Sequence, residues 1–114
     1  MKRYQRLTRS SDFLRVKNSG ISFTSPLIIL VAAANGMDFT RVAVAASRTM
    51  GRAVQRNRAK RQLRACVDAI IASIKPGWDL IIYARQPIQY ADYPSIQKSV
   101  VEVLHSAKLI PAEN

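Results

Sequence analysis

Residues 27–34, LIILVAAA, are apolar without a break, and Pro26 precedes them. So short an unbroken run reads as a strand buried in the interior. Asn35-Gly36 follows and signals a tight hairpin turn. The return strand is therefore expected in FTRVAVAAS, residues 39–47, with Val42, Val44 and Ala46 on one face. The period then lengthens. Leu63, Val67, Ile70, Ile71 and Ile74 recur at i, i+4, i+7, i+8 and i+11, one stripe of a helix running from about Arg52 to Lys75. Pro76-Gly77 ends it. WDLIIYAR at 78–85 reads as a further strand and QPIQYADYP as a loop. A last helix starts at Asp92 as cap, with Pro94 in its first turn, and turns Ile96, Val100, Val103 and Leu104 inward. Near the N-terminus SSDFLRVKNSG reads as a short helix, capped by Ser10 or Ser11 and closed by Gly20. Asp12 suits its positive end, and Phe13 and Val16 share a face.

The order is helix, two or three strands, helix, strand, helix. An α+β domain follows, with a single mixed sheet packed on helices. The Ala-rich strands, VAAA and AVAA, put little bulk on at least one sheet face. Either a helix packs closely there or a groove remains. A length of 114 residues suits one domain over 1–114, with residues 110–114 expected to fray. No internal repeat or low-complexity segment interrupts it.

Composition sharpens this picture. The apolar fraction, 48%, is ordinary and supports a core. The charge is not ordinary: 18 Lys and Arg against 7 Asp and Glu, a net +11. Such self-repulsion points to a polyanionic partner, nucleic acid or an anionic membrane. Phe39 to Val67 carries eight cations and no acid, so the charge forms a patch. Cys66 is the only cysteine, which excludes an intramolecular disulfide and a thiol zinc set and leaves a small buried hydrophobe. The basic N-terminus is followed by no apolar signal region, and 27–34 is too short to span a bilayer. A reducing cytoplasm is the expected compartment.

The patch centres on GRAVQRNRAKRQLRA, residues 51–65. Arg56, Lys60 and Arg64 are spaced by four and form a stripe, with Asn57, Arg61 and Arg64 beside it. Like charges at that spacing destabilise an isolated helix, and they sit at the end where the helix dipole is already positive. Both features favour a bound phosphate, which a guanidinium meets in bidentate fashion. A merely solvated basic face would be interspersed with acids. A lipid-binding helix would need an exposed apolar face, and this one uses its stripe for the core. Catalysis by the chain has little support: His105 is the only histidine, and the acids are scattered with no close pair. Trp78 and Tyr83 read as core residues. Phe13 also reads as core, although Arg9 and Lys17 lie one turn away and keep a nucleotide-facing role open.

The string Gly51, Ala53-Val54, Arg56-Asn57-Arg58, Lys60-Arg61, Leu63-Arg64 closely resembles the signature of the bacterial ribonuclease P protein component family. Ser47 and Arg48 before it, Arg6-Leu7, Asp12-Phe13, Gly20 and DLIIYAR extend the resemblance from about Arg6 to Leu109. The resemblance implies an α/β sandwich with a four-stranded sheet in the order α-β-β-β-α-β-α. It also implies a left-handed crossover through the third strand, the basic helix and the fourth strand, against the general rule. It implies a noncatalytic partner of a catalytic RNA, in a holoenzyme that cuts the 5′ leader from precursor tRNA. Arg48, Arg52, Arg56, Asn57, Arg58, Lys60, Arg61 and Arg64 are then RNA contacts. Arg9, Phe13, Lys17 and Val31 are then the leader cleft, between the first helix and the sheet. Lys17 stands where relatives often carry a second aromatic and Val31 where a Tyr can occur, so stacking is expected to be weaker and charge contact stronger. No cofactor or metal is expected on the protein alone; Mg2+ is expected in the RNA-containing holoenzyme. Homodimerisation stays open. The competing readings are a general structured-RNA or ribosome-associated module and a protein-only nuclease, which would need a carboxylate or His cluster.

Overall fold

The computed structural model describes residues 1–111; the side chain of Arg48 and residues 112–114, part of the tail expected to fray, lie outside the described residues. Helix α1 spans Ser10–Ser19, strands β1, β2 and β3 span Ile21–Thr24, Ile28–Ala34 and Arg41–Ala46, helix α2 spans Ala53–Ile70, strand β4 spans Trp78–Ala84, and helix α3 spans Tyr93–Ser106. Short 3-10 turns lie at Arg3–Gln5, Arg48–Met50, Ile71–Ser73 and Gln86–Tyr90. The α+β class and the element order match the expectation.

The four strands form one mixed sheet in the order β1-β2-β4-β3. The expected β2–β3 hairpin does not form. β4 lies between them, antiparallel to β2 and parallel to β3, with Ile82 opposite both Leu30 and Val44. Asn35-Gly36 does turn the chain: Gly36 sits at φ +70°, and the Asn35 side chain accepts from Met37 N at 2.8 Å and donates to Phe39 O at 3.1 Å. That turn leads out of the sheet rather than back along β2. β4 is apolar on both faces, with Leu80 and Ile82 on one and Ile81 on the other, so burial places it in the interior of the sheet.

One face of the sheet carries Ile28, Leu30, Ala32, Leu80 and Ile82 against α2 and α3. The other carries Val31, Ala33, Ala43 and Ile81 against Val16 of α1 and Leu7. α2 buries Ala59, Leu63, Cys66 and Val67 and stops at Ile70, short of the expected Lys75. Ile74 still reaches the core, but from beyond a 3-10 turn that lets the chain descend toward β4. Cys66 is buried, as expected, and burial pushes its thiol pKa up. Neither serine caps α1; Arg9 holds that position without a side-chain cap bond. Gly20 closes α1 with an ordinary φ of −78°. Its role is close approach: a Cβ there would lie 2.5 Å from Val16 O and 2.6 Å from Val31 Cγ1. Asp92 caps α3 as expected, accepting from Ser95 N at 2.9 Å.

Candidate RNA-binding surface

α2 is anchored by its apolar C-terminal half, and its N-terminal half projects cations on both sides of the buried seam. At about 100° per residue, Arg56, Lys60 and Arg64 fall on one flank. Arg61 lies beside Arg64, three residues away, as the linear spacing predicts, and Arg58 falls on the far flank. Arg52, Asn57, Arg58, Arg61 and Arg64 are exposed, and Arg56 and Lys60 are partly buried. Arg56 donates to Gly51 O at 2.7 Å, and Gly51 takes φ +116°, a conformation side chains disfavour. Arg52 stands at the N-cap position and cannot accept a hydrogen bond, so first-turn N–H groups stay open to an anion. Arg48 lies in the turn before α2.

On the alanine-bearing sheet face α1 packs over Ala33 and Ala43, and a cleft opens beside it. This cleft of about 550 Å³ is lined by Thr8, Ser10, Phe13, Leu14, Lys17 and Tyr83. It adjoins, at Thr8 and Phe13, a recess of about 400 Å³ whose walls include Arg6, Ala43 and Arg64. The structure thus brings Phe13 and Lys17 together. Arg9 stands exposed one turn earlier, its carbonyl accepting from Phe13 N at 3.1 Å. Val31 is not brought to them. It is 7% exposed, packed beneath α1 near Gly20, and has no face to offer RNA. Tyr83, read from the sequence as core, packs against the second core cluster and also walls the cleft, opposite Ala45, and burial pushes its phenol pKa up. Alternation along WDLIIYA was the available signal: it puts Tyr83 on the face opposite Leu80 and Ile82. Trp78, by contrast, packs against the main core.

A buried ion cluster fixes α1 over the sheet. Asp79 is fully buried. It accepts from Arg41 Nε at 2.9 Å and Nη2 at 2.7 Å, from Asn35 Nδ2 at 3.0 Å, and from Arg15 of α1. Asp12 of α1 pairs with Arg41 at 3.4 Å. Arg15 also donates to Ala34 O at 3.1 Å. Burial alone would raise the Asp79 pKa; the hydrogen bonds from Arg41 and Asn35 and the charges of Arg41 and Arg15 outweigh it and hold it below the usual value. Sequence reading took the acids as scattered. Asp12 and Asp79 are 67 positions apart in sequence and meet only through these two arginines.

Among the described residues, no three His, Cys, Asp or Glu side chains are grouped to hold a metal, and no helix is long and apolar enough to cross a membrane. The fold and surface define a basic α+β domain whose cationic helix lies beside an open cleft. The family model for ribonuclease P matches residues 1–108. The ribonuclease P protein component of Herpetosiphon aurantiacus is 36% identical over 109 residues, covering 96% of this chain and 89% of that protein. That of Halalkalibacterium halodurans is 36% identical over 111 residues, covering 96% and 93%. Among solved structures, a Staphylococcus aureus RNase P protein mutant with defective mRNA degradation activity superposes with a TM-score of 0.88 at 29% identity, covering 94% and 91%. The Thermotoga maritima RNase P protein superposes with a TM-score of 0.81 at 25% identity, covering 89% and 96%. The chain belongs to the ribonuclease P protein component family, RNA-binding subunits that partner ribonuclease P RNA and precursor tRNA in the holoenzyme that cleaves tRNA 5′ leaders.

Proposed function

We propose that residues 1–114 act as one RNA-binding domain in which α2 holds the ribonuclease P RNA and the α1 cleft holds the single-stranded leader of precursor tRNA. Arg48, Arg52, Arg56, Asn57, Arg58, Lys60, Arg61 and Arg64 make the phosphate contacts. Phe13 stacks on a leader base, and Arg9 and Lys17 take the adjacent phosphates. Tyr83 joins Phe13 as the second aromatic in place of Val31, which serves packing. The observation that carries this reading is the recess shared by Arg64 of α2 and Phe13 of α1, which makes the basic helix and the cleft one continuous groove. The chain supplies binding and orientation; hydrolysis belongs to the RNA and its Mg2+ ions, in the cytoplasm.

Reconstitution tests this. The chain alone should leave precursor tRNA intact, and adding the catalytic RNA at low magnesium should produce cleavage at the leader junction. The protein's cations then offset phosphate repulsion that magnesium otherwise screens. Cleavage by RNA-free protein, or no stimulation of the RNA at low magnesium, would overturn the reading.

A further inference from the structure

The turn Gln86–Tyr90 read from the sequence as a plain loop, and the groove described above does not use it. It packs on the flank of α2 that faces away from Arg64. Ile88, 1% exposed, pins the turn to the core, and hydrogen bonds from Ile88 N to Arg85 O and from Ala91 N to Ile88 O close it. On that fixed base Tyr90 is 86% exposed, more than any other large apolar side chain among the described residues. A lone exposed aromatic is unremarkable on a protein surface. This one borders a recess of about 100 Å³ completed by Gln55, Arg58 and Gln62 of α2. Arg58 and Gln62 also line a shallow depression of about 320 Å³ that continues to Arg61 and Tyr93.

Among the described residues, neither Arg58 nor Arg61 has a carboxylate partner, and α2 carries no acid before Asp68. Asp68 is held by the amino group of Met1, and Asp92, close to Tyr90 in sequence, is committed to the Ser95 N–H. The strip therefore offers a flat aromatic face, two amide side chains and two unpaired guanidinium groups. Those are the groups that hold an unpaired nucleotide: stacking for the base, amides for its edge, arginines for the flanking phosphates. We propose that Tyr90 with Arg58 and Gln62 forms a second nucleotide site, which takes an unpaired base of the catalytic RNA on the flank of α2 opposite the leader groove. The inference rests on the reading of α2 as an RNA-binding helix. It adds an aromatic contact, on a different element, that the basic signature does not contain.

The test uses the full chain with the catalytic RNA and with the reconstituted holoenzyme. Tyr90→Ala should leave the melting temperature unchanged and weaken binding to the catalytic RNA by about 5- to 150-fold, the worth of one stacked base. Tyr90→Phe should keep the affinity, and neither should alter the salt dependence. Arg58→Ala should flatten the log–log salt slope by about one. Unchanged affinity for Tyr90→Ala beside a flattened slope for Arg58→Ala would overturn the nucleotide site and leave the basic-helix reading standing. No effect from either would overturn both on this flank. Equal loss for Tyr90→Phe and Tyr90→Ala would overturn stacking. A loss confined to holoenzyme binding of precursor tRNA would overturn the assigned occupant.

Discussion

Arg41 of β3 grips Asp79 of β4 through two hydrogen bonds, Nε to Oδ1 at 2.9 Å and Nη2 to Oδ2 at 2.7 Å, with the carboxylate wholly buried. Arg15 reaches the same carboxylate from α1, so one acid holds the helix that carries Phe13 to the strands beneath it. Asp79→Asn would leave the two guanidinium groups with only the partly exposed Asp12 as counter-charge. Urea unfolding at pH 7 should show a loss of about 3–5 kcal/mol. The Asp79 pKa is lowered in the folded chain. Its contribution is therefore fully present above the ordinary Asp value of about 3.9 and is lost as pH falls through the folded value. The gap between wild type and Asp79→Asn should narrow in acid; a gap that stays constant down to about pH 2 would refute the linkage.

Phe13 is only partly buried, packed against the core cluster that holds Leu7, Val16 and Ile81 and lining both recesses. Phe13→Ala should cost about 1–2 kcal/mol of stability, less than the roughly 3–5 of a fully buried Phe. Holoenzyme affinity for precursor tRNA should fall by about 1–3 kcal/mol, while affinity for mature tRNA holds. Equal losses for the two RNAs would remove Phe13 from the leader site.

Lys60 and Arg64 share the flank of α2 nearest the cleft. Each, changed to Ala, should reduce the slope of log affinity against log salt by about one, and the double variant by about two. Slopes matching wild type would mean that this flank faces solvent in the complex.

Gly20→Ala places a methyl group 2.5 Å from Val16 O and 2.6 Å from Val31 Cγ1. The backbone there is unstrained, so the cost is steric overpacking, about 1–3 kcal/mol by chemical denaturation. Because α1 must lift to relieve the contact, leader-dependent binding should fall as well. A stability equal to wild type would show that the end of α1 is loosely seated.

The basic helix was legible in the chain because the stripe begun by Leu63, Val67 and Ile70 and an acid-free run of arginines are local facts. The cap at Asp92 and the burial of Cys66 were legible for the same reason. The open side of Tyr83 was not, since an aromatic in a strand reads as core until the neighbouring strand is known to supply Ala45 opposite it. The assignment of Val31 to the cleft failed for the converse reason: only the seating of α1 decides which part of that sheet face stays open.

By itself the sequence determined the α+β element order, the patch of unpaired cations and the signature string of the family, because periodicity, charge and short-range spacing are properties of the chain. Tertiary structure decided that β4 inserts between β2 and β3. A turn signal at Asn35-Gly36 fixes where the chain bends but not what it pairs with, and the strand apolar on both faces took the interior. It also decided which flank of α2 meets the cleft. It joined Asp12 to Asp79 through two arginines, because long-range pairs form only when packing brings distant side chains into a common low-dielectric interior.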